Sequence, residues 1–123
     1  MRSMTWHRAP ALIAACWLAA WPAAAHHGGD VEWADQAVGP ITGTASKFSF
    51  QFPHVFFDMD VAGTLWTITT RWTPTILRDH GWTRSSIESG DEVTVTYLPH
   101  VERPHVGQMV TIEVNGTALP LSF

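Results

Sequence analysis

Histidines are the side chains in this chain best placed to do chemistry: there are seven in 123 residues, against a single cysteine. His26 and His27 follow directly on Ala25, at the end of a segment laid out like an export signal. Cleavage after Ala25 frees the amino group of His26, which chelates copper through the amine and a ring nitrogen, with His27 or a distant histidine completing the nitrogen set. Cleavage one residue earlier places His27 third, where an amine, two backbone amides and an imidazole wrap Cu(II) in a square plane. His54 stands at a Pro-His corner, and His100 and His105 share a polar stretch from Pro99 to Gly107. Neutral imidazoles suit copper or zinc, so His26, His27, His54, His100 and His105 form the candidate metal set. Each has a plainer reading: a solvated arm for the first pair, a corner packed on Phe56 for His54, and a polar loop beside prolines for His100 and His105. No Cys-x-x-Cys or His-Glu-x-x-His spacing supports the set.

Other candidates are thinner. Asp58 and Asp60 alternate onto the same strand face as Phe56, a face that could meet a ligand or partner, pair carboxylates for acid–base work or hold Ca²⁺. Such residues more often keep an outer face soluble. Ser85 and Ser86 lie near Asp79 and His80 in sequence, but a triad is defined by geometry and nothing places a base beside a nucleophile. A phosphate-binding glycine loop is missing too. Trp66, Trp72, Trp82, Tyr97 and Phe56 could offer flat rings to a sugar or peptide. Their spacing fits core packing, with outward-facing Phe56 the exception. No catalytic constellation emerges, and an enzyme is the third-ranked reading.

The elements that must position these residues begin after the leader. Arg2 and Arg8 supply positive charge, Ala11 to Trp21 is apolar, and Ala23-Ala24-Ala25 offers small residues to a peptidase. That apolar run is shorter than the roughly 20 residues a membrane-spanning helix needs. Cys16, preceded by Ala14-Ala15, sits in a poor lipobox and reads as a small apolar residue of the leader, so lipid anchoring there is not expected. A chain starting at His26 lacks cysteine and must be held by packing alone. It carries five basic against eleven acidic side chains, a net of −6 with neutral histidines. That balance disfavours nucleic acid and anionic membrane, because phosphate is met largely by Lys and Arg. The expected location is the periplasm or the exterior.

Residues 26–39 are polar and aperiodic and read as a flexible arm that settles on the domain through Trp33. Residues 40–123 read as one β domain. Ile41 to Phe52 alternates, with Phe48, Phe50 and Phe52 inward and Ala45, Lys47, Ser49 and Gln51 outward. After Pro53, Val55, Phe57, Met59 and Val61 face the core, which turns His54, Phe56, Asp58 and Asp60 outward. Leu65 to Trp72 supplies a third strand with Trp66, Ile68, Thr70 and Trp72 on one side. Thr73 is then an N-cap, Pro74 suits the first helical position and Gly81 the left-handed residue that ends a helix. Val93, Val95 and Tyr97 mark a fourth strand, and Val110, Ile112 and Val114 a fifth. Asn115-Gly116 is a hairpin signal leading to a short closing strand over Ala118 to Leu121. Three meandering strands, a short helix and two more strands give the element order of the OB-fold, a small five-stranded Greek-key barrel. An open antiparallel sheet or sandwich is the rival that the same pattern allows.

Four short motifs in order, covering essentially all of the chain after the leader, resemble a bacterial exported family, the domain-of-unknown-function family 6152. They are Ala25-His26-His27, Phe52-Pro53-His54-Val55, Leu77-Arg78-Asp79-His80-Gly81-Trp82-Thr83-Arg84 and Gly90-Asp91-Glu92-Val93. The resemblance implies export and a small β domain and carries no activity with it. Phe52 stands where the family usually has Asn, which removes a side chain able to fix the corner by hydrogen bonding. Two histidines in the loop between the fourth and fifth strands are unusual for it. The leading expectation is an exported binding protein, with copper or zinc on its histidines. The alternative is an envelope interaction module without metal that holds a partner by its barrel face or by strand addition.

Overall fold

A computed structural model describes residues 32–123, and His26 and His27 lie outside the described residues. Six strands and one helix follow in the order β1 (Val38–Phe50), β2 (Val55–Val61), β3 (Thr64–Thr69), α1 (Pro74–Asp79), β4 (Glu92–Pro99), β5 (Val106–Val114) and β6 (Thr117–Leu119). The sheet runs β3-β2-β1-β4-β5-β6, and a parallel pairing of β3 with β5, from Thr67↔Val106 to Thr69↔Gln108, closes the first five strands into a barrel. The fold is therefore the expected OB-like barrel rather than an open sheet. Its hinge is β1, whose first half pairs with β4 as far as Thr44↔Glu92 and whose second half pairs with β2 from Thr44↔Asp60 to Phe50↔Val55.

That double engagement explains where the alternation expected for β1 fails. The ladder slips between Ala45 and Lys47, leaving Ser46 as an extra residue. A bulge of this kind reverses the inside–outside phase beyond it. Ala45, expected outside, is 2 % exposed and lies in the core, while Phe50 is buried and Phe48 packs half-buried against them. Phe52 corrects the expectation a second way: β1 ends at Phe50, and Phe52 is 68 % exposed at the corner. A second slip, opposite Thr96 and Tyr97, leaves Val110 as the extra residue on β5. Val110 therefore faces solvent, and Met109 and Ile112 take the buried places.

The strand pattern around these slips is as expected. Val55, Phe57 and Met59 on β2, Ile68 on β3 and Val93 and Val95 on β4 are fully buried. Helix α1 plugs one end of the barrel. Thr73 Oγ1 accepts the Ile76 N–H at 3.4 Å, Pro74 occupies the first turn, and Gly81, with φ of 89°, turns the chain away. Leu77 points into the core with Trp82 beside it. β5 starts at Val106, earlier than expected, so the β4–β5 loop shrinks to residues 100–105. β6, expected as a closing strand, instead extends the sheet beyond β5, since β3 already closes the barrel.

Candidate functional site

At the barrel end that carries the β4–β5 loop, the outer face of β2 and β3 forms the floor of a half-open groove of about 300 Å³. Its lining comes from four places in the sequence: Glu32 and Trp33 before β1, His54 and Phe56 around the β1–β2 corner, Thr67 and Thr69 on β3, and Arg103 and Val106 from the β4–β5 loop and β5. The period-two register makes the floor. Phe56 faces Thr69 and Asp58 faces Thr67 across the β2–β3 ladder, and Thr67 faces Val106 across the closure. The floor is already ordered. Thr67 Oγ1 donates to Asp58 Oδ1 at 2.7 Å and Thr69 Oγ1 donates to the Val55 carbonyl at 3.2 Å. Lys47, opposite Asp58 on β1, places its ammonium 5.3 Å from the Phe56 ring centre.

One wall exists only because residues 32–34 dock on the loop as a short antiparallel strand. Ala34 N–H donates to the Pro99 carbonyl at 2.8 Å and Val101 N–H to the Glu32 carbonyl at 3.0 Å, flanking a Trp33↔His100 bridge. His100 is the hub. Its Nδ1 accepts the backbone N–H groups of Glu102 and Arg103, both at 3.0 Å. An imidazole nitrogen that accepts is unprotonated, so the neutral ring carries its proton on Nε2. That atom lies 3.4 Å from Glu32 Oε1, which also takes an Arg103 Nη2 bond at 3.3 Å. The Trp33 ring packs edge-on against the imidazole with centroids 5.2 Å apart.

The sequence candidates divide accordingly. His54 and Phe56 line the groove, and Asp58 borders it through Thr67. His100 holds the wall through Nδ1, with Nε2 turned toward Glu32. His105 adopts a positive φ of 56° and packs edge-on against Trp66, with centroids 5.0 Å apart. Asp60 faces the far end of β2, where its carboxylate accepts the Gly63 N–H at 3.1 Å and fixes the β2–β3 turn. The corner and the β4–β5 loop both line this groove, but the loop contributes Arg103 to it rather than a histidine. Among the described residues no three His, Cys, Asp or Glu side chains gather as a metal-binding group.

Sequence reasoning passed over Glu32, Thr67, Thr69 and Arg103. Alternation in β3 does place both threonines outward, but nothing in the sequence says that a docked segment covers them. Trp82 and Tyr97 are core, Trp66 and Trp72 are half-buried against it, and Phe56 joins Trp33 in the groove lining.

A larger hollow of about 670 Å³ lies over the outer face of β4, β5 and β6. Thr96 and Thr111 bond each other there at 2.6 Å, Thr94 bonds Thr42 at 2.9 Å, and Glu113 is its one ionisable lining residue. Charged, aromatic and hydroxyl groups converge in the smaller groove. Burial raises the Tyr97 phenol above its usual 10.0, and Asp91 is held below 3.8 by the Glu88 N–H and Asn115 at a distant turn. Neither lines the groove.

A closed OB-like barrel with its β1–β2 corner and β4–β5 loop framing a groove over strands β2 and β3 belongs to the class of small β-barrel domains. Residues 14–109 match the family of unknown function DUF6152, and the chain belongs to that family. Among curated proteins no sequence matches it. No helix among the described residues is long and apolar enough to cross a membrane.

Proposed function

We propose that the chain is an exported binding module whose working surface is the groove between Trp33, His54, Phe56 and Arg103. One observation carries this: four segments remote in sequence converge on the strand face and the two loops with which OB barrels hold ligands. Export rests on the leader-like residues 1–25. A second role for the same chain, copper or zinc chelation, rests on His26 and His27, because His100 is committed to its loop. Partner capture by strand addition has less support: β6 offers three residues of edge before Pro120, and short edges blunted by proline resist pairing.

A fragment screen followed by two-dimensional NMR tests the groove. Hits are expected to shift the Trp33 indole and the Thr67, Thr69 and Arg103 amides; hits confined to other surfaces would overturn the proposal. Cu(II) and Zn(II) titrations of protein beginning at His26, and of protein with residues added ahead of it, test the second role. Micromolar binding lost on extension is the expected result, and equal binding by both forms would remove the N-terminal chelate.

A further inference from the structure

We infer that the ligand of this groove is a saccharide bearing a carboxylate, a uronic-acid type of sugar; this rests on the groove being the binding surface. The groove offers a particular pattern of donors, acceptors and flat apolar surface. Thr67 and Thr69 have already donated their hydroxyl protons, to Asp58 and to the Val55 carbonyl. What they present to the groove is oxygen lone pairs, so the floor asks for a ligand rich in O–H donors. A sugar ring supplies such donors around its rim and an apolar C–H face for the Trp33 and Phe56 rings that line the site. A purely aromatic ligand would match the rings and leave the threonine oxygens unmet.

Arg103 selects the carboxylate. Its side chain is 59 % exposed, and one Nη2 bond to Glu32 is its only recorded side-chain partner among the described residues. The remaining N–H groups of the planar guanidinium form a fork that matches a carboxylate in two-point contact. Glu32 and Asp58 are the negative groups nearby. Glu32 shares its charge between His100 and Arg103, and Asp58 is bonded to Thr67, so the ligand carboxylate meets Arg103 on the edge that Glu32 does not use. Nucleic acid, the other polymer that OB barrels hold on this face, is opposed by the acidic balance of the chain and by a groove with one arginine in its lining.

The test compares tri-galacturonate with its methyl ester, which keeps the sugar and removes the charge, using NMR titration at physiological salt. Tri-galacturonate is expected to shift the groove resonances and to bind at least about tenfold more tightly than the ester, the order of effect of one charge-assisted contact. Arg103→Gln, at an exposed position, should bring the two affinities together, and Phe56→Ala should weaken both by a similar factor. Equal affinity of the wild-type protein for acid and ester would overturn the carboxylate assignment. Binding of benzoate but of neither sugar would overturn the saccharide and leave the groove intact as a binding surface. Silence from both sugars and from benzoate, together with a screen that finds no groove hit, would sink the binding-surface reading itself.

Discussion

Two chain segments from outside the five closing strands pack on this barrel, and the two covers are built differently. Beside α1, the residues after β6 are held by two indole-to-carbonyl bonds, by Leu121 and by a ring stack. Trp82 Nε1 donates to the Pro120 carbonyl at 2.7 Å and Trp72 Nε1 to the Leu121 carbonyl at 3.1 Å, while Leu121 sinks into the core. Phe123 stacks flat on His80 with centroids 3.6 Å apart. At the groove end, residues 32–34 are held by two backbone bonds, an edge-on ring contact and an exposed charge cluster. The first cover removes apolar surface from water and closes the core. The second contributes little burial and leaves a hollow beneath it. The C-terminal segment also borders the larger hollow over β4 to β6, so what separates the two covers is the chemistry of their contacts and not how much space they fill.

The largest expected effect breaks the stabilising cover. Trp82→Ala empties a site that is 1 % exposed and removes the indole bond to Pro120, which should cost about 3–5 kcal/mol in urea or thermal unfolding. Its effect on groove titrations should be slight as long as the domain stays folded.

Next comes a position beneath the groove end. A Cβ at Gly107 would press into the Tyr97 ring from Cγ to Cδ2, and a ring held in a core cannot swing aside as a flexible chain end can. Gly107→Ala should destabilise by about 1–3 kcal/mol, the usual cost of overpacking. A change below about 0.5 kcal/mol, the scale of an ordinary surface substitution, would show that the ring has room to move.

Trp33→Ala sharpens the comparison from the other side. Stability should fall by about 1 kcal/mol, because the ring is half-buried and outside the core cluster. The Ala34 and Val101 amides, bonded across the docked segment, should exchange with solvent much faster. Unchanged exchange at both would mean that the backbone bonds hold the segment without the ring.

The smallest effect belongs to Asp91, away from both covers. Its carboxylate accepts the Glu88 N–H at 2.7 Å and the Asn115 amide at 2.9 Å, which lowers its folded pKa below 3.8. A lowered folded pKa contributes stability that is present above the unfolded value and lost as pH falls through the folded one. Asp91→Ala should therefore lose a small part of the stability above pH 3.8 and flatten the acid limb below it; an acid limb identical to wild type would remove Asp91 from that balance.

The five-strand order, the helix between β3 and β4 and most of the core were legible in the residues. Val55, Phe57 and Met59, or Val93, Val95 and Tyr97, alternate with polar neighbours, and a strand with one dry face has a single way to satisfy that pattern. Thr73, Pro74 and Gly81 act within a few residues of one another, so their signal is local too. Ala45, Phe52 and Val110 were misplaced for the opposite reason. A bulge at Ser46 or Val110 is set by how two partner strands share one ladder, and neither residue type announces it.

The histidines mark the same boundary. The sequence alone determined that His54 turns outward at a corner, because the phase of β2 allows nothing else. It also determined that an acidic stretch with no cysteine beyond Cys16 would be held by packing. Tertiary structure alone decided that His100 spends Nδ1 on a loop and turns Nε2 toward Glu32, that His105 turns to Trp66, and that Arg103 is the loop residue to reach the groove. Those outcomes depend on closing β3 against β5 and on laying residues 32–34 across the β4–β5 loop. Both are contacts between residues far apart along the chain, and side-chain identity by itself carries no record of which distant partner will arrive.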